Sequence, residues 1–254
     1  LSELRDAFFG MFVYAALLTV PAGILLLFDA RIQRTAMQDL RAFNLLAQLT
    51  SREHVVELME QGLETPQPFR ADGLNRILYK CACCGHEGAM EGKGTTLRCG
   101  HCGKEWELTT LGELKAAEGE TEFSHIPDWF AWEREQVKEE ILEGSYRLDT
   151  DVDIALLVDY KAIYKVGEGH LTHDRDGFRL TGCDGKLEYT QKPQACYGLY
   201  ADYYWYEIAD VICIGDNDTL YYCFPKGSAD VVAKTRLAVE EMYKLYKARV
   251  LQTL

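Results

Sequence analysis

Four cysteines in two matching turns carry the clearest chemistry of this chain: Cys81-Ala82-Cys83-Cys84-Gly85 and Cys99-Gly100-His101-Cys102-Gly103. A C-x-x-C turn brings its first and last sulfur together, so each pair presents two thiolates to one metal ion. The glycine after each pair allows positive φ, which lets backbone N–H groups point at the sulfurs. Two such turns predict a closed tetrahedral site in which Cys81, Cys84, Cys99 and Cys102 hold a structural Zn2+. Cys83 is an extra thiol inside the first pair, left as a neighbour because Cys81 and Cys84 keep the expected spacing. A rubredoxin-type iron centre uses a similar set of four cysteines. Disulfides suit a small secreted domain better than a chain of 254 residues. A redox C-x-x-C precedes a helix in a βαβ unit, and no such pattern follows here.

The other candidate groups are weaker. His86 and His101 lie inside the cysteine module, but the ligand set is complete without them, which leaves both facing solvent. His125 beside Asp128 and Trp129 invites a His–Asp catalytic reading with no nucleophile motif to support it. His170, His173 and Asp174 suggest a metal site on one hairpin, yet strand alternation and an exposed turn account for them. Gly167-Glu168-Gly169 lacks the third glycine and following helix of a dinucleotide fingerprint and reads as a turn or bulge. The tyrosines between Tyr197 and Tyr206, with Trp205, form a candidate ligand face, although such runs more often make a β-rich core and rim. No catalytic or organic-cofactor residue follows from these groups.

The formal net charge of -13 argues against nucleic acid as a partner, since that affinity comes largely from neutralising phosphates. Cys83, Cys183, Cys196, Cys213 and Cys223 remain beside the ligands and read as reduced thiols of a cytosolic compartment. The chain begins with Leu1 rather than Met, as expected of a fragment or processed product.

These groups must be positioned by an α+β chain in five parts. Residues 1–30 read as a membrane-spanning helix. Residues 7–28 carry no charge, and a helix of that length rises roughly 33 Å, enough to cross a bilayer core. Pro21 is tolerated in such a span. Arg31, Arg34 and Arg41 follow it and only Arg5 precedes it, which places the C-terminal bulk in the cytoplasm. A signal-peptide core or a buried helix are the competing readings. Residues 31–69 form a helical linker with Leu40, Phe43, Leu46 and Leu49 at helical spacing, interrupted at Ser51 and broken by Thr65-Pro66-Gln67-Pro68. Residues 70–112 make the zinc ribbon, with strands at 77–79, 95–98 and 105–108, and with Trp106 packed beside the knuckles. So small a module needs metal binding for much of its folding free energy. Residues 113–160 are an acidic linker whose helix starts at Pro127-Asp128 and ends at Gly144. Its glutamates, Glu133, Glu135, Glu139, Glu140 and Glu143, read as a solvated face. Residues 161–254 give short strands at 163–171, 177–180, 186–190, 197–206, 211–214 and 220–224, then a helix capped by Ser228 with Val231, Ala238, Met242 and Leu245 inward. That pattern predicts an antiparallel barrel or sandwich with a C-terminal helix, and it resembles a pleckstrin-homology-like (PH-like) module.

Five stretches carry a further resemblance. They are Arg70-Ala71-Asp72-Gly73-Leu74-Asn75-Arg76, the paired knuckles, Glu120-Thr121-Glu122-Phe123-Ser124-His125-Ile126-Pro127-Asp128-Trp129, Gly167-Glu168-Gly169-His170-Leu171-Thr172-His173-Asp174, and Asp210-Val211-Ile212-Cys213. From about Pro68 onward the chain is similar to the C-terminal extension of a group of bacterial 1-acyl-sn-glycerol-3-phosphate acyltransferases. Catalysis in that family needs a His-x4-Asp pair, the histidine taking the glycerol hydroxyl proton and the aspartate orienting it. Five residues after the six histidines stand Met59, Glu91, Trp106, Phe130, Arg175 and Phe178, so no catalytic residue carries over. The resemblance implies a non-catalytic accessory or regulatory region of a membrane-associated phospholipid-synthesis enzyme. Its expected partners are the membrane, an upstream or separate acyltransferase domain and an unidentified protein. The alternatives are a free-standing membrane-anchored zinc-ribbon adaptor and an iron-bound electron-transfer module.

Overall fold

The computed structural model describes residues 64–158, 162–205, 208–216, 218–227 and 231–248. The apolar segment 7–28, the helical linker up to residue 63 with His54, and the expected cap Ser228 lie outside the described residues. Among the described residues no helix is long and apolar enough to cross a membrane.

The cysteine module is a four-stranded antiparallel sheet of β1 (Met90–Lys93), β2 (Thr96–Cys99), β3 (Glu105–Leu108) and β4 (Leu114–Ala116), in that order. Residues 77–79 are not the strand expected of them. The chain is still leaving a short 3₁₀ helix, Leu74–Arg76, and Ile77 has helical backbone angles. Only Lys80 pairs, in a single antiparallel bridge with Glu87. The sheet runs on to Ala116, past the expected end of the module, because β4 pairs with β3 and so covers Leu114.

The linker helix α1 (Ile126–Glu143) is punctuated as its sequence suggests. Pro127 sits in its first turn, and Gly144 ends it in the left-handed conformation at φ 80°, which glycine adopts at no steric cost. Arg175 donates to the carbonyls of Ile141 and Leu142 in the last turn of α1 and sets a positive charge against the helix C-terminus.

The second sheet has seven antiparallel strands: β5 (Leu148–Val158), β6 (Ala162–Asp174), β7 (Gly177–Gly182), β8 (Leu187–Gln191), β9 (Tyr200–Trp205), β10 (Ala209–Gly215) and β11 (Leu220–Pro225). Their order is β8-β7-β6-β5-β11-β10-β9, with helix α2 (Val231–Lys247) last in the chain. Strand β5 sits at the centre of the sheet, although the sequence reading left it in the acidic linker. Its aspartates, Asp149, Asp151 and Asp153, alternate with Leu148, Val152 and Ile154, which are buried. The expected barrel or sandwich is corrected on one point: the sheet is open, with β8 and β9 as its two edges. It curls far enough for one core to gather Leu148, Ile154, Leu180, Ile212 and Ile214 with Val232 and Val239 of α2. The opening is occupied by α2, which packs against β9, β10 and the 3₁₀ turn Pro193–Ala195 that connects the two edges.

Candidate metal centre

The two knuckles are built alike. The Cys81 N–H donates to the His86 carbonyl and the Gly85 N–H to the Cys81 carbonyl, at 2.9 and 2.8 Å. In the second knuckle the Cys99 N–H donates to Lys104 and the Gly103 N–H to Cys99, again at 2.9 and 2.8 Å. Gly85 and Gly103 have φ of 72° and 77°, and a Cβ would meet nothing at either, so conformation rather than space demands glycine.

Sulfurs of the two knuckles face each other. Cys81 Sγ lies 3.8 Å from Cys102 Sγ, and Cys84 Sγ lies 3.8 Å from Cys99 Sγ. All four ligand atoms fall within 4.8 Å of one another. A tetrahedron with metal–sulfur bonds of about 2.3 Å has edges of about 3.8 Å, so these four residues fit a tetrathiolate ion. Cys81 and Cys99 are buried while Cys84 and Cys102 face out. Burial pushes the Cys81 thiol above its ordinary value. Desolvation acts the same way on Cys102, but the Lys104 N–H and the Cys99, Cys84 and Cys81 thiols outweigh it and bring that group down to about 7. Cys83 is exposed and lies outside the group of four, as expected.

His86 and His101 also face solvent, their rings stacked at 4.1 Å and 9°. His101 Nδ1 is 3.7 Å from Cys84 Sγ, within sulfur hydrogen-bonding reach. Trp106 packs edge-on to Trp129 of α1 at 4.9 Å, with its Nε1–H donating to Glu122 and the ammonium of Lys104, from the second knuckle, 5.6 Å from its ring centroid.

The remaining candidates do not converge. His170 and His173 lie on opposite faces of β6. His170 is half-buried between Asp149 and Asp151, at 2.8 and 2.9 Å, and its hydrogen bond to the Asp151 carboxylate leads the effects that raise its pKa. His173 is buried, stacked on Phe178 at 3.8 Å, with Nδ1 3.0 Å from the Tyr146 hydroxyl. Asp174 accepts the Asp176 N–H, as turn chemistry requires. The Gly167-Glu168-Gly169 stretch is the bulge it resembled: Ile154 pairs with Gly167 and Ala155 with Lys165, which leaves Val166 extra. His125 supplies its carbonyl to the first turn of α1, and its Nδ1 is buried without a hydrogen bond. In the tyrosine run, Tyr203 enters the core while Trp205 lies against Tyr222 and Phe224 on the other face.

One part of the site escaped the sequence reading. Glu133, expected on a solvated face, is fully buried and accepts the Lys80 N–H at 2.8 Å. Burial pushes its carboxyl well above the usual carboxylate range, against the opposing pull of the Lys80 N–H. Glu140 is ion-paired with Lys80 and Lys234, whereas Glu135, Glu139 and Glu143 are exposed as expected. The only sequence signal was the opposite charge of Lys80 and Glu87 on either side of the first knuckle.

Compared with known proteins, the chain matches no family model and no curated protein.

Proposed function

We propose that this chain is a non-catalytic, zinc-stabilised accessory region of a membrane-associated acyltransferase of phospholipid synthesis, acting on a 1-acylglycerol-3-phosphate. The observation that carries the reading is the ion pair of Arg76 with Asp210. It joins the first and last of the stretches that resemble the acyltransferase extension. The stretch from Glu120 to Trp129 also sits at a joint: Trp129 donates to the Lys80 carbonyl, and Glu122 receives Trp106 and Lys104. These contacts hold the modules of the chain together, as an accessory region requires. The absence of any His-x4-Asp pair supports a role outside the chemistry.

Zinc is the ion we assign to Cys81, Cys84, Cys99 and Cys102, where it would cross-link the two knuckles and supply folding free energy to the small sheet. A PH-like identity for the β module is proposed on its seven antiparallel strands and terminal helix. Anchoring through residues 7–28, with the bulk in the cytoplasm, rests on the charge pattern around that segment.

The deciding experiment reads the coding sequence upstream of Leu1. An in-frame His-x4-Asp within an acyltransferase-like domain is the expected result. A start codon close by with no such motif would overturn the enzyme reading and leave an anchored adaptor. As a second check, the purified chain should transfer no acyl group from an acyl thioester to 1-acylglycerol-3-phosphate, and transfer would sink the accessory role.

A further inference from the structure

The residues that flank the first knuckle fasten it to both helices. Lys80, immediately before Cys81, has every polar group engaged. Its N–H donates to Glu133 Oε1 at 2.8 Å and its carbonyl accepts from Trp129 Nε1 at 2.9 Å, both on α1. Its ammonium lies 3.3 Å from Glu87 and 3.6 Å from Glu140. Glu87, which follows the knuckle, is the bridge partner of Lys80. Glu87 also meets Lys234 of α2 at 2.8 Å, and Lys234 returns to Glu140 of α1 at 2.8 Å. Lys80, Glu87, Lys234 and Glu140 therefore close a ring of alternating charge drawn from three elements. Beneath it Tyr79 is fully buried among Val137, Ile141, Leu237, Ala238 and Met242.

We propose that the metal centre is a latch on this helix pair. Ligation of Cys81 and Cys84 fixes the separation of Lys80 from Glu87 across the knuckle, and that separation is what lets the ring close on α1 and α2. Loss of the ion widens the knuckle, opens the ring and loosens both helices. The consequence reaches β9 and β10, the strands against which α2 packs. Divalent metal availability is thereby converted into a change at the opening of the curled sheet. The half-buried setting makes the ring sensitive to geometry, since such pairs contribute only while their spacing is held.

The latch rests on reading the four cysteines as a metal centre, and one experiment separates the two. The full chain is loaded with Co2+, and amide exchange is followed by mass spectrometry before and after chelation. A cobalt–thiolate charge-transfer band reports ligation. Its absence would remove the metal centre and the latch with it. With the band present, exchange within α1 and α2 is expected to quicken about tenfold or more on chelation, while β6 and β7 change by less than about twofold. Unchanged helices would overturn the latch. A uniform rise that includes β6 and β7 would overturn it too, because the ion would then hold the whole fold. The variant Lys234→Met keeps the side-chain stem and removes the ammonium. It is expected to bind cobalt normally and to lose more than about half of the metal-dependent difference in α2. An undiminished difference would show that the ring transmits nothing.

Discussion

Arg76 and Asp210 stand 134 positions apart in the chain and form an ion pair between the approach to the cysteine module and strand β10 of the curled sheet. The guanidinium also lies over the Tyr204 ring, 5.1 Å from its centroid, and the Tyr204 N–H donates to the same carboxylate at 2.7 Å. Asp210 is only 7% exposed, so removing its partner leaves a buried charge with one hydrogen bond. Arg76→Met should cost about 2–4 kcal/mol in urea unfolding. Asp210→Asn should cost less, and the double variant should recover part of the loss. Strictly additive costs would show that the two side chains do not interact.

The ligand set predicts a sharp contrast among five neighbouring thiols. Cys99→Ser should lose the bound metal and the protection of β1 to β4, whereas Cys83→Ser should retain one ion per chain with an unchanged cobalt spectrum. Metal analysis of both purified variants checks it. A Cys83→Ser protein without metal would replace the ligand assignment.

What could be read ahead of the structure was local. The knuckles are legible because a C-x-x-C-G turn brings its two sulfurs together within five residues, and α1 because Pro127 and Gly144 mark its ends. Strand β5 was hidden because Asp149, Asp151 and Asp153 look like an acidic linker until one sees that Leu148, Val152 and Ile154 share a core with α2. Burial of Glu133 was equally hidden. Its fate is decided by a backbone N–H at Lys80, 53 positions away, which no pattern along α1 reveals. The open sheet differs from the expected barrel because a helix, rather than a seventh pairing between β8 and β9, fills the gap.

Acid should weaken the fold through His173. Burial lowers its pKa from the ordinary 6.5 to about 3. Between those values the unfolded chain takes up a proton that the folded chain refuses. Stability from this group is therefore complete above about pH 6.5 and is lost as pH falls toward 3, with a limit of about 5 kcal/mol. The His173→Gln variant should show a flatter fall in denaturation midpoint between about pH 6 and 4 than the parent chain. Parallel curves would show that His173 is protonated alike in both states.

Gly169 allows β6 and β7 to approach closely. A Cβ there would lie 2.3 Å from the Thr181 carbonyl oxygen and 2.5 Å from Ile154 Cδ1. Gly169→Ala should destabilise the chain by about 1–3 kcal/mol. Gly198→Ala, where a Cβ meets nothing within 4 Å, should stay within about 0.5 kcal/mol in the same thermal melts. Equal effects at the two sites would mean that β6 and β7 can part without cost.

The position of β5 between β6 and β11 sets a schedule for the nascent chain. Strands β5 to β8 leave the ribosome as a meander, but the second edge of β5 has no partner until Leu220 and the rest of β11 arrive. At about 5–20 residues per second, the roughly sixty residues between them take about 3–12 seconds. Throughout that interval Asp149, Asp151 and Asp153 line the waiting strand, and their carboxylates discourage pairing with another chain. Translation that stops before Leu220 leaves an unfinished edge rather than a smaller domain.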